Sequence, residues 1–485
     1  MFSAKRMHPF AAIITFFQRI RELLIPFVFL FFFSGRGSSP LAELLQIIGI
    51  ILLLVGLLIA GFLHWYRFTY RVEEGEFRIE YGVFIRKKRY IPLERIQTID
   101  VTSGLIQRMF RVVKLQLQTA GGGAEAEAVL TAITEEEAER LQDIIQHSKV
   151  DEDEVVVEEK TPSTYHLSQK ELLLAATTSG GIGIVLSGFI ALFTQVDDLI
   201  PYDTIFEGVN KWFQVNLIVY AILFSIVFLV IAWLIGMLIV VLRYANFSLT
   251  KREQELIVTQ GFFEKRKLTI PLKRIQAVRL VENPVRQFLG YATVVLETAG
   301  GSAEDKSEGF STVLFPLIKR EGFERKLAEF IPEFDGEMDI NSIPHRSLIR
   351  YMLRATLPVL LLVIPLTYFF DTRGAWSVIL IPIMMLIGYL RYRDAAVGFR
   401  EGEEHLVLRY RFISRVTVIM KKKRVQAMEQ QQSFFQKRRS LSTIQASIKS
   451  SVAGKHFKVV DVSEGQGEEI YKWYSSQGQQ KEKDA

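Results

Sequence analysis

The chain has 485 residues, 49% of them hydrophobic and 23% charged, with 36 Phe and no Cys. So much aromatic surface needs a dry environment, and the composition argues against a disordered chain, a collagen-like repeat and a disulfide scaffold; without Cys, a cysteine nucleophile and a Cys-type zinc site are excluded too. A net charge of +6 and a pI of about 9.1 suit a membrane surface or nucleic acid better than a cationic partner.

Taken in chain order, the first apolar segment is Pro9 to Phe33, interrupted by Arg19, Arg21 and Glu22. Its first half fits the interface and its second half the membrane. Lys5 and Arg6 precede it as in a signal peptide, but no small-residue cleavage pattern follows, so it reads as a retained span. Leu44 to Leu63 is a second span, with Gln46 its one polar residue. Leu172 to Thr194, rich in small residues, is a third, and Val215 to Leu242 a fourth. Tyr351 to Phe370 and Trp376 to Leu390 bring the total to six.

The spans fall in pairs. Their short connections, Ser34 to Glu43, Gln195 to Lys211 and Asp371 to Gly374, hold one basic residue each, whereas the far ends read Tyr66-Arg67, Arg243-Tyr244 and Arg391-Tyr392-Arg393. Lys and Arg collect on the cytoplasmic side, so the short loops are expected outside, and both termini and everything large inside.

Between the pairs the pattern changes to β structure. Phe77, Ile79 and Tyr81 alternate with polar residues, as do Leu256, Val258 and Gln260, then Leu406, Leu408 and Tyr410. Gly82 and Gly261 follow where a hairpin turn needs positive φ. Further strands are expected at Val112 to Thr119 and Thr293 to Thr298, and helices at Glu135 to Gln146, Lys319 to Ile331 and Glu468 to Tyr474. Asp151 to Lys160 is an acidic linker, read as a solvated spacer rather than a metal site.

The β segments repeat. Ile91-Pro-Leu-Glu-Arg-Ile-Gln97 returns as Ile270-Pro-Leu-Lys-Arg-Ile-Gln276, and more loosely as Met420-Lys-Lys-Lys-Arg-Val-Gln426. The first two copies are 179 residues apart, and the same offset carries Gly82 onto Gly261 and Gln118-Thr-Ala-Gly-Gly122 onto Glu297-Thr-Ala-Gly-Gly301. In the third copy Arg411 replaces the turn Gly and Lys421 the Pro, and no Gly pair follows the strand.

With these motifs the chain resembles the bacterial PH-like domain membrane proteins, and among them the YdbT-like members with three such units on paired spans. The resemblance implies two packed sheets capped by a helix, facing the cytoplasm, and carries over no catalytic residues. It also implies a link to tolerance of membrane-active antimicrobial peptides, and a smaller PH-like membrane protein of the same family as partner. The expected fold class is therefore a polytopic α-helical membrane protein of about six spans carrying three cytoplasmic β-sandwich or barrel PH-like domains, each with a C-terminal helix. The expected boundaries are hairpins at 1–66, 171–243 and 336–390, PH-like domains at 67–150, 244–335 and 391–476, the linker at 151–170 and a polar tail at 477–485.

Signals for chemistry are weak. Gly121-Gly-Gly123 lacks the Lys-Ser/Thr of a phosphate loop and precedes two Glu, so a hairpin turn is the better reading. The 7 His are scattered, with no H-E-x-x-H pair and no G-x-S-x-G turn in the chain. No catalytic residue, metal site or cofactor is expected.

Basic runs remain: Arg86, Lys87, Lys88 and Arg89; Lys265 to Lys267; Lys421, Lys422, Lys423 and Arg424; and Lys437, Arg438 and Arg439 beside Phe434 and Phe435. After residue 390 there are 19 Lys and Arg against 11 Asp and Glu, so the excess cation sits in the last unit. These residues are the expected contact with anionic inner-leaflet lipid. Nucleic acid is not expected, for lack of interleaved aromatic stacking. Ser179, Gly183 and Ser187, with Ala176 and Gly180 beside them, form a small-residue stripe expected to pack helices. A non-catalytic scaffold for proteins or lipid is the favoured reading, and a lipid or peptide carrier the alternative.

Overall fold

The computed structural model describes residues 4–20, 40–83, 85–119, 126–147, 163–180, 187, 217–299, 311–334, 340–399, 404–449 and 454–483. The Gly-rich turns after Thr119 and Thr298, the acidic linker, Gly183 and most of the third expected span lie outside these residues.

Three units recur along the chain, each with seven strands among the described residues. In the first they are β1 (Lys5–Arg6), β2 (Thr69–Glu73), β3 (Glu76–Tyr81), β4 (Lys87–Pro92), β5 (Ile96–Ser103), β6 (Val112–Thr119) and β7 (Ala128–Thr134). The second has β8 (Thr164–His166), β9 (Ser248–Arg252), β10 (Glu255–Gln260), β11 (Lys265–Pro271), β12 (Ile275–Glu282), β13 (Tyr291–Thr298) and β14 (Ser311–Lys319). The third has β15 (Asn341–Ser342), β16 (Ala396–Phe399), β17 (His405–Arg411), β18 (Arg415–Lys421), β19 (Val425–Gln431), β20 (Leu441–Ile448) and β21 (Lys455–Ser463). Every adjacent pair within a sheet is antiparallel.

The period-two residues point inward: Phe77, Ile79, Leu256, Val258, Leu406 and Leu408 are all buried. Closing helices follow at Glu135–His147, Phe323–Phe330 and Glu464–Lys483. The second begins later than the periodicity suggested, because Lys319 still belongs to β14.

The repeated I-P-L-x-R-I segment is a corner between sheets. Ile91, Leu93 and Ile96 are buried, as are Ile270, Leu272 and Ile275, with Pro ending one strand and a 3-10 turn leading into the next. Gly82 and Gly261 have φ of 111° and 107°, and a Cβ there would lie 2.0 and 1.9 Å from the carbonyl oxygens of Ile85 and Glu264.

Each unit starts earlier than its sequence pattern showed. β1, β8 and β15 pair with β2, β9 and β16, so the apolar segments of each unit lie in the chain between its first and second strands. Met7, Phe10 and Ala11 lie in the first unit's core, which places the start of the first apolar segment there rather than at the interface. Among the described residues, four helices are long and apolar enough to cross a membrane: Ile48–Arg67, Ile222–Tyr244, His345–Phe370 and Ala375–Asp394.

The units are not separate. β5 of the first pairs with β11 of the second, and β12 of the second with β18 of the third, so two sheets of seven strands run across the unit boundaries. A four-stranded sheet, β1 to β4, and a three-stranded sheet, β19 to β21, close the two ends.

Candidate interaction surfaces

The basic runs divide on inspection. Lys421 and Lys422 are buried, contrary to the expected lipid contact. β18 lies inside a sheet, so its last residue faces the second unit: Lys421 bonds Glu333 at 2.8 Å and stands over the Phe334 ring. The Lys422 ammonium donates to the Trp473 carbonyl of the closing helix, and burial lowers its pKa while Glu404 raises it. Arg424 donates to the Lys273 carbonyl at 2.6 Å, leaving Lys423 as the exposed member. Lys437, Arg438 and Arg439 are exposed, as are Arg86, Lys87, Lys88 and Arg89 on and beside β4. Lys265 is exposed too, but Arg266 points into the junction between the first and second units.

That junction is held by charge as well as backbone. Asp100, 1% exposed, accepts from Arg266 Nε at 3.0 Å and Nη2 at 2.7 Å. Between the second and third units, buried Glu282 accepts from Arg415 Nε at 2.7 Å and Nη2 at 2.6 Å, with Arg320 at 3.4 Å. Arg415 and Arg411 both face Asp394, the last residue of the helix Leu380–Asp394. The end of a span is thereby tied to the seam between two units.

A second set of ties runs through the short helices that follow β5, β12 and β19: Leu105–Met109, Pro284–Phe288 and Phe434–Lys437. Gln107, Arg286 and Gln436 occupy the same position in each. Arg286 reaches the C-terminal end of helix Gln169–Thr177, donating to the Ala175 carbonyl at 2.8 Å and the Thr178 hydroxyl at 2.9 Å. Carbonyls at a helix C-terminus carry partial negative charge, so a buried guanidinium is served there without a carboxylate. Gln436 donates to Asp461, which is 0% exposed and also holds Arg350 at 3.0 Å and Arg354 at 2.9 Å on the helix Leu348–Gly374. None of these buried groups was singled out by spacing or composition, since a lone Asp or Gln in a strand-rich segment carries no sequence signal.

The same short helices present apolar side chains to the outside. Phe434 and Phe435 are 66% and 69% exposed, Phe288 is 91% and Met109 81%. The turns beside them, Phe262-Phe263 and Phe412-Ile413, are exposed as well and sit against span ends: Phe262 N–H donates to the Leu242 carbonyl at 3.0 Å, and Arg391 lies over the Phe412 ring. Arg108 donates to the carbonyls of Phe262 and Phe263, both at 2.9 Å, which brings the first short helix to the second unit's turn. Apolar rings where spans enter their units match the chemistry of a bilayer interface.

The small-residue stripe is only partly placed. Ala176 is buried, but a Cβ on Gly180 would meet nothing within 4 Å, and Ser187 is exposed. Close helix approach occurs elsewhere: a Cβ on Gly388 would stand 2.8 Å from Met352 Cα, and one on Gly61 3.0 Å from the Ala12 carbonyl. Among the described residues, no group of three His, Asp or Glu is placed to hold a metal ion.

A family model described as bacterial PH domain matches three stretches, residues 24–149, 199–332 and 356–478. The chain belongs to the bacterial PH domain family. It is also 42% identical over 492 residues to the UPF0699 transmembrane protein YdbT of Bacillus subtilis (strain 168), a match covering 98% of this chain and 99% of that relative. This is a membrane protein with three bacterial PH domains, and its seams lie between those domains.

Proposed function

We propose that the protein is a non-catalytic scaffold of the bacterial cell membrane, with about six spans, and with both termini and the three PH domains on the cytoplasmic side. The observation that carries this reading is the continuity of the sheets across both seams. Units joined through β5–β11 and β12–β18 do not act as independent tethered modules. They hold their outer surfaces in one fixed row above the bilayer.

The exposed cations Lys437, Arg438 and Arg439, beside Phe434 and Phe435, lie at the end of the short helix, and in the turn after it, tied through Gln436 and Asp461 to the base of a span. Such a site engages anionic lipid headgroups, each basic residue near the surface contributing about 1 kcal/mol. As a scaffold it gathers a protein partner, such as a smaller PH-domain membrane protein. The physiological role that fits is protection of the envelope against membrane-active peptides.

The test is gentle purification of the full chain from native membranes, identifying the proteins and lipids that accompany it. Enrichment of anionic lipid, reduced by Lys437→Glu, Arg438→Glu and Arg439→Glu together, supports the reading; lipid composition equal to the bulk membrane in both proteins refutes the lipid site. Reporter fusions at residue 205 should read outside and at 485 inside.

A further inference from the structure

The two seams are one contact made twice. With Ile91, Ile270 and Met420 as equivalent positions, the pair Ile99–Thr269 at the first seam is the counterpart of Val278–Ile419 at the second, and Ser103–Lys265 is the counterpart of Glu282–Arg415. There is no slip between them. This repeated step leaves one unused edge at each end of the row. β4, the equivalent of β11 and β18, pairs only with β3 among the described residues, and Lys87 to Tyr90 are exposed. β19, the equivalent of β5 and β12, pairs only with β20 among the described residues. Gln426 to Gln431 are exposed or half-exposed there, whereas β12 is mostly buried at the same places.

We propose that β4 of one chain pairs with β19 of a second copy, extending the row of PH domains head to tail. The register follows from the two seams already present: Tyr90 opposite Met428, Arg89 opposite Glu429 and Lys88 opposite Gln430. The side chains are complementary in that register. Glu429 stands where Asp100 stands in the first unit, and Lys87 where Arg266 stands in the second, so the ion pair of the first seam re-forms between chains. Gln432 and Arg86 take the places of Glu282 and Arg415, which bond across the second seam. Lys437, exposed, takes the place of Arg108, which clasps the neighbouring unit's turn carbonyls.

Each pair of apolar segments lies in the chain between the first and second strands of its unit, so a step that repeats the unit repeats its apolar segments with it. A head-to-tail contact between identical chains produces a closed ring if its rotation closes, and an open row if it does not. The inference does not depend on lipid binding, because its register rests on the strand edges.

The chain has no Cys, so introduced thiols report only on their own positions. Full-length Lys88→Cys/Gln430→Cys, treated in native membranes with a short thiol cross-linker, should give a ladder of dimers and larger species. The two single variants co-expressed should stop at a dimer containing one of each. Moving one thiol by a residue, as Lys88→Cys/Gln431→Cys, turns it to the opposite face of the strand and should remove most of the ladder. Lys87→Glu and Glu429→Lys should each lower the cross-linked fraction severalfold, and the two together should restore it. Thermal unfolding of each variant matching the parent shows that a loss is not misfolding. The proposal is overturned by absence of the ladder or by equal cross-linking in the shifted pair. It is equally overturned if either single variant, Lys88→Cys or Gln430→Cys, links to another copy of itself in place of its counterpart, or if the cross-link goes to a smaller protein in place of a second copy.

Discussion

Glu282→Ala tests whether the seam between the second and third units is an energetic unit or an incidental contact. Glu282 is buried, and its carboxylate takes both bonds from Arg415, also buried, at 2.7 and 2.6 Å. Removing one member of a buried pair generally costs about 3–5 kcal/mol, because the other charge is left desolvated without a partner. Here Asp394 stays 3.6 Å from Arg415 and relieves part of that, so the expected cost is at the low end, about 3 kcal/mol. At 1.4 kcal/mol per tenfold, this is roughly a 100-fold increase in local opening. Amide hydrogen exchange on the full chain in lipid nanodiscs reads this directly, at β12 and β18. The double variant Glu282→Leu/Arg415→Met removes both charges and leaves Arg411 on Asp394, so its exchange should stay within about tenfold of the parent. An increase below about fivefold for Glu282→Ala, or one spread equally over β1 to β4, refutes the reasoning.

Gly261→Ala forces a side chain into a left-handed backbone and against the Glu264 carbonyl, and should destabilise by more than about 2 kcal/mol, read as a fall in Tm; an unchanged Tm contradicts the turn's role. Asp461→Asn leaves Arg350 and Arg354 without a carboxylate, and with Arg354 half exposed the expected cost is about 1–2 kcal/mol, seen as faster exchange at Phe434 to Lys437. Burial raises the Glu333 pKa, but the bond from Lys421 and the charges of Lys421, Lys423 and Arg424 outweigh it, so the pKa falls below its ordinary 4.5. The clamp therefore stabilises the seam fully above pH 4.5 and loses that contribution as pH drops through the lowered value. Lys421→Met should flatten this acid-side dependence of Tm, and an unaltered profile contradicts the assignment.

Much of the fold was legible because it rests on local periodicity. Phe77 and Ile79 alternate inward as their spacing requires, Gly82 and Gly261 adopt the positive φ that only glycine adopts freely, and long apolar runs form helices of membrane length. The first strand of each unit was hidden, because Lys5–Arg6, Thr164–His166 and Asn341–Ser342 are too short to show a period. The seams were hidden for a different reason. Pairing of Asp100 with Leu268 and of Arg279 with Val418 is decided by register between distant segments, which no window of sequence contains. The same cause hides the burial of Lys421 and Lys422. A run of three Lys and one Arg looks like a solvated face, yet it lies where β18 joins the second unit and turns toward the closing helix, so two of its ammonium groups find internal acceptors.

The central claim is that three PH domains form one fixed row. Spin labels on exposed positions of the closing helices, as the pairs Glu139→Cys with Arg325→Cys and Arg325→Cys with Lys472→Cys, measure it in lipid bilayers, with each labelled chain diluted in unlabelled protein. A single narrow distance for each pair, the same in bilayers and detergent, is the predicted result. Broad or condition-dependent distributions would contradict the account, because sheets continuous through β5–β11 and β12–β18 do not let their units swing.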